Sequence, residues 1–175
     1  ANSGKVANYI PELAKIDPQK FGMCLVTKDL KHYQVGHSQE LFSIQSIVKV
    51  FSLCIAKEYL GDALWKRVSV EPSGTAFNSL TELERENGIP RNPFINAGAI
   101  VVTNALLSIL EHPKRDFLKF VRQLAGDSSI SYNHEVAQSE RDHGYRNTAL
   151  TNYMKALGNI DNSPEAVLDL YYHMC

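Results

Sequence analysis

Ser46 and Lys49 stand three residues apart in the run FSIQSIVKVFSLCIAKEYLG, at the head of a segment too apolar for an ordinary surface helix. If the segment is helical, residues three apart share a face, and the lysine amine lies beside the serine hydroxyl. Burial in an apolar site disfavours the ammonium and lowers the lysine pKa toward a neutral amine able to take a proton from serine. The pair therefore has the composition of a nucleophile and its base. Composition alone would produce an S-x-x-K tetrapeptide about once in a chain of this size, most often on a solvated helix surface. The alternative is a lysine snorkelling at the helix rim. The neighbours Ile44, Ile47, Val48, Val50, Phe51, Leu53, Cys54, Ile55 and Ala56 predict instead a central helix buried on most sides.

The elements that must position this pair can be read from period and punctuation. GKVANYIPELAKI reads as a short helical stretch interrupted or restarted at Pro11. Phe21 to Thr27, the turn at Lys28 and Asp29, and the shorter HYQVG predict a β-hairpin with one strand more buried than the other. Gly61 is placed to cap the Ser46 helix. The stretch from EPSGTAFNSL to GIPRNPF, rich in glycine, proline and asparagine, reads as a long ordered loop. Beyond it the pattern is helical. INAGAIVVTNALLSIL is apolar on nearly all sides, and Ala97, Gly98 and Ala99 allow close packing. DFLKFVRQLAG ends at Gly126 and NTALTNYMKALG at Gly158. SPEAVLDLYYHMC starts with Ser163 as N-cap and Pro164 in the first turn. One hairpin followed by several helices predicts an α+β chain with a dominant helical part.

At 175 residues the chain fits one domain spanning 1–175 with a real core. A net charge of −1 gives no electrostatic reason to expect nucleic acid or an anionic membrane as partner and leaves small neutral or zwitterionic ligands open. No uncharged stretch reaches transmembrane length, and the first residues lack the regions of a signal peptide. The expected compartment is cytoplasmic, although a processed organelle protein would look the same. Cys24, Cys54 and Cys175 form no disulfide framework, and Cys24 and Cys54 are expected to be small core residues. Six scattered histidines without H-x-x-x-H or C-x-x-C spacing predict no metal site, and no cofactor is expected.

FSIQSIVK, EPSG-x-x-FN, NPFINAGAI and QSERDHGYRN, in this order, resemble the serine-dependent glutaminases, which share the β-lactamase and penicillin-binding-protein fold. The resemblance runs through essentially the whole chain. It implies hydrolysis of L-glutamine to L-glutamate and ammonia through an acyl-enzyme, without metal or cofactor, in a homo-oligomer (dimer or tetramer). Ser46 stands at the family's nucleophile and Lys49 at its activating lysine. Ser43 has no lysine at the required spacing. Val48 departs from the serine of many bacterial members.

The resemblance further implies substrate-binding roles for Tyr9, Asn96, Glu140, Asn147 and Tyr171, with Tyr171 either assisting proton transfer or positioning the amide. A carboxylate for an α-ammonium, with amides and phenols for a carboxylate and a side-chain amide, suits a zwitterion of this kind. By the residues alone, other readings stay open. Asn96 and Asn147 could cap helices, Glu140 could belong to a surface charge cluster with Arg141, Asp142 and Arg146, and Tyr9 and Tyr171 could be half-buried tyrosines.

The family pattern also includes a later tyrosine, a glycine-rich K-S-G strand that completes the oxyanion hole, and further sheet strands. No K-S-G or K-T-G string occurs in these residues, so the 175 residues are expected to be the first part of a longer glutaminase, C-terminally incomplete. Two competing readings are a β-lactamase or penicillin-binding relative acting on another acyl donor, weakened by the lack of S-D-N, and a non-catalytic glutamine-binding or assembly module.

Overall fold

The structure is a computed structural model that describes residues 4–175. It divides into a smaller unit ending at Ser43 and a larger one, Ile44–Cys175.

The smaller unit holds a one-turn helix, α1 (Pro11–Ala14), which begins on proline because the first helical N–H needs no partner. It also holds an antiparallel hairpin of β1 (Gly22–Val26) and β2 (His32–Gly36), in register from Gly22 opposite Gly36 to Val26 opposite His32. Thr27 and Lys31 close its loop through a 3.0 Å backbone bond. The expected inequality between the strands is not found: every residue of both is exposed. A two-stranded sheet has no second layer of its own to bury a face. Cys24, on β1, is accordingly exposed rather than in the core.

In the larger unit a 3₁₀ turn, Gln45–Ile47, leads into α2 (Val48–Leu60), which ends at Gly61 with φ of 54°. A second 3₁₀ stretch (Gly61–Lys66) follows. The segment read as a loop contains a short helix, α3 (Leu80–Arg85). Ser79 caps it by accepting from the Glu82 N–H, the S-x-x-E pattern of a helix start within a glycine- and proline-rich segment. The segment's ends are tied where Ser69 N–H donates to Pro90 O at 2.8 Å and Glu71 N–H to Arg91 O at 2.7 Å.

Four longer helices and one central helix complete the unit. They are α4 (Asn96–Ile109), α5 (Pro113–Ala125), α6 (His134–His143), α7 (Tyr145–Ala156) and α8 (Pro164–Met174). Every residue from Ala97 to Leu106 on α4 is buried, and α4 packs on α2, α7 and α8. Its all-round apolar sequence permits this position. Asn104, fully buried on α4, accepts from the N–H groups of Asp161 (3.2 Å) and Asn162 (3.0 Å), which fixes the entry to α8. Ser163 then caps α8. Further along, Asp169 pairs with Lys114 of α5 at 2.6 Å and with Arg141 of α6, so one carboxylate joins three helices.

The expectation for α2 holds on one face only. Val48, Lys49, Ser52, Ile55 and Ala56 are buried, whereas Val50 is 48% exposed and Cys54 is exposed. Packing against α4 takes one stripe of the helix, and the described residues do not cover the opposite stripe. Among the described residues, no helix is long and apolar enough to cross a membrane.

Candidate active site

The site is built around the start of α2. Ser46 is exposed in the 3₁₀ turn, and Lys49, one turn later, is 4% exposed. Residues three apart along continuous helical backbone share a face, which brings the two positions to one side. Gln45, directly before Ser46, has φ of +47°, a left-handed conformation costing a non-glycine residue about 1 kcal/mol. Its N–H donates to the Cys175 carbonyl at 2.9 Å, so the end of α8 holds the turn in this shape.

Lys49 Nζ donates to Phe94 O at 2.9 Å and to Asn96 Oδ1 at 2.8 Å, and lies 5.9 Å from the centre of the Phe77 ring. Burial lowers its pKa from the ordinary lysine value; Cys175 pulls weakly the other way. That counter-pull requires a thiolate, and burial pushes the Cys175 thiol up to about 12, with Glu140 adding to the rise and Lys49 opposing it. The thiol is thus protonated at neutral pH and does not hold the lysine charged. In the neutral form the two acceptors take both N–H bonds of the amine, leaving one lone pair.

The NPFINAG string supplies these acceptors. Asn92 Oδ1 accepts from the N–H groups of Phe94 (3.0 Å) and Ile95 (3.1 Å) at the entry to α4, while the Asn96 N–H donates to Phe77 O at 2.8 Å. Asn92 thus orders the two residues ahead of α4, and Asn96, the first helical residue after the N-cap Ile95, makes no side-chain cap bond. A Cβ on Gly98 would lie 1.9 Å from Asn92 O, so glycine there is what allows the loop this close to α4.

Asn96 Nδ2 donates in turn to Asn147 Oδ1, 3.0 Å away in the first turn of α7. Lys49, Asn96 and Asn147 are therefore joined directly. Neither asparagine caps its helix through the side chain. Glu140, on α6, is buried at 8% exposure, not part of a surface cluster. Tyr171, on α8, is 4% exposed rather than half-buried, and its ring centre lies 5.7 Å from that of Tyr172. Tyr9 lies in the smaller unit ahead of α1 and is exposed. Sequence reasoning missed the Phe94 carbonyl and the Gln45 turn, both of which act through backbone atoms.

Sequence and structure comparisons agree on the relatives of this chain. The family model described as Glutaminase matches residues 4–175. A glutaminase of Christiangramia forsetii is 57% identical over 173 residues, 99% of this chain and 57% of that protein. One of Saccharophagus degradans is 56% identical over 172 residues, 98% of this chain and 56% of its own length. Among solved structures, the probable glutaminase YbaS aligns with a TM-score of 0.92 at 32% identity, over 99% of this chain and 57% of that one. Mglu in its glutamate form aligns with a TM-score of 0.90 at 30% identity, over 100% and 40%. The chain spans about half the length of the curated relatives it matches.

Proposed function

The chain belongs to the glutaminase family, with its α+β, β-lactamase-like fold, and from that membership we propose that it carries the acylation centre of an enzyme that hydrolyses L-glutamine to L-glutamate and ammonia. The observation that carries the reading is the buried Lys49 amine, held by two neutral acceptors in the first turn of the helix that follows Ser46. Such a lysine is set up as a base.

In the proposed reaction the neutral Lys49 amine takes the Ser46 proton as Oγ attacks the side-chain amide carbon. The tetrahedral intermediate collapses with cleavage of the C–N bond, and ammonia leaves with the proton returned by Lys49. Water then attacks the γ-glutamyl ester, Lys49 takes its proton, the C–O bond breaks, and Ser46 is reprotonated. The Ser46 backbone N–H, at the helix start, is the proposed oxyanion donor from this chain. Glu140 is assigned to the α-ammonium of glutamine. Asn96, Asn147 and Tyr171 are assigned to its polar groups. The glutamate form of the similar Mglu structure supports an amino-acid ligand of this class.

The test is ammonia release by the full-length protein from L-glutamine, L-asparagine and a chromogenic β-lactam. Turnover of glutamine that Ser46→Ala abolishes supports the assignment. Turnover of the β-lactam alone, or binding of glutamine without ammonia release, contradicts it.

A further inference from the structure

Phe94 reaches Lys49 with its backbone, not its ring. The residue is 51% exposed, while its carbonyl accepts from Lys49 Nζ at 2.9 Å. That carbonyl shares a rigid trans peptide plane with the N–H of Ile95, which points from the opposite edge. Whatever holds the Ile95 N–H therefore aims the Phe94 oxygen. The holder is Asn92 Oδ1, which accepts from the Ile95 N–H at 3.1 Å and from the Phe94 N–H at 3.0 Å. Two bonds to one oxygen fix two successive peptide planes.

Asn92, half-buried, is itself held from the other side. Its Nδ2 donates to Glu71 O at 2.9 Å, and the Glu71 N–H donates to Arg91 O at 2.7 Å. These partners settle the orientation of the amide. Two N–H donors need its oxygen and a carbonyl needs its NH₂, so a reversed amide would set donor against donor and acceptor against acceptor. All three partners of the side chain are main-chain groups, and the link to Lys49 passes through no charged side chain.

We propose that Asn92 is a positioning residue for the base: its side chain aims the Phe94 carbonyl at Lys49 and so keeps water from the amine. The inference rests on the reading of Lys49 as the base. Without the Asn92 oxygen the Phe94–Ile95 peptide is free to turn, and its carbonyl leaves Nζ. Water takes that place, and a hydrated amine loses part of the desolvation that lowers its pKa. The Lys49 pKa then rises toward its ordinary value. The ionisable group that faces Lys49 is the Cys175 thiol at the end of α8, with Glu140 of α6 acting on that thiol. Pushed up to about 12, the thiol stays protonated around neutral pH. Phe77, Phe94 and Asn96, which approach Lys49 from the loop and from α4, carry no charge.

The experiment compares full-length wild type with Asn92→Ala and Asn92→Ser by two readouts: the pH dependence of glutamine turnover, and titration of Lys49 followed by its ¹³Cε NMR shift. A serine hydroxyl can accept from the same two N–H groups but is too short to serve Glu71 O as well. For Asn92→Ala the expected result is an acid limb and a Lys49 pKa higher by about one unit, with kcat at neutral pH lower by about tenfold. Asn92→Ser should return kcat to within about threefold of wild type. An unchanged Lys49 titration in folded Asn92→Ala overturns the proposal. So does an Asn92→Ser enzyme as impaired as Asn92→Ala, which would place the effect in the bond to Glu71. If wild type releases no ammonia, the functional reading fails, while the NMR titration still tests the link from Asn92 to Lys49. If Asn92→Ala does not fold, Asn92→Gln, whose amide stands one methylene too far out to close the turn, takes its place. A raised Lys49 pKa there supports the proposal and an unchanged one overturns it.

Discussion

Lys49 donates to the side-chain oxygen of Asn96 across 2.8 Å, joining the first turn of α2 to the first residue of α4. The contact sets a buried base against a neutral amide rather than a carboxylate. A carboxylate at that distance would favour the ammonium, whereas the amide leaves desolvation to lower the lysine pKa.

Asn96→Asp changes that balance with almost no change of shape. The new carboxylate holds Lys49 as an ammonium, so the acid limb of kcat against pH moves to higher pH and kcat at neutral pH falls by about a hundredfold. Steady-state ammonia release across the pH range checks this. An acid limb that stays in place would show that Asn96 does not control the base.

Lys49→Arg keeps a cation but cannot supply a neutral base, because a guanidinium does not deprotonate in this range. The expected outcome is loss of kcat by about a hundredfold or more, with glutamine binding by calorimetry retained.

Lys49 also predicts how stability depends on pH. Its folded pKa lies below its unfolded value of 10.5, so between the two the unfolded chain binds more protons, and stability from this group rises with pH. The slope is at most about 1.4 kcal/mol per pH unit. Lys49→Met removes it. Urea unfolding at several pH values below 10.5 should show a shallower rise for the variant than for wild type.

These predictions rest on groups whose legibility in the sequence was unequal. Ser46 and Lys49 could be picked out because an S-x-x-K pair in an apolar run is a local signal. Gly61, Gly126 and Ser163 could be read as caps, and they are, because capping depends on a few adjacent residues. The Asn96–Asn147 bond joins residues 51 apart, and no periodicity reports such a meeting. The exposed stripe at Val50 and Cys54 was misread because an apolar side chain states a preference for burial without saying what buries it. The Glu140 carboxylate was open to a surface reading because its neighbours are charged, yet helix phase places it inward.

Gly98→Ala tests the packing that brings the Phe94 carbonyl to Lys49. The added Cβ would lie 1.9 Å from Asn92 O and 2.9 Å from Pro93 Cα, both backbone atoms that cannot rotate away. Overpacking of this kind costs about 1–3 kcal/mol. Chemical denaturation should show that loss, and kcat per folded molecule should fall with it as the loop moves off Lys49. Unchanged stability would contradict the close approach.

The central claim is that Ser46 forms an acyl-enzyme with glutamine, with Lys49 as its base. The most direct measurement is acid quenching of full-length protein during turnover of isotopically labelled L-glutamine, followed by peptide mass spectrometry. A labelled γ-glutamyl ester on Ser46, missing in Ser46→Ala and strongly reduced in Lys49→Arg, is the predicted result. Ammonia release with the label on another residue, or undiminished release by Ser46→Ala, would contradict the claim.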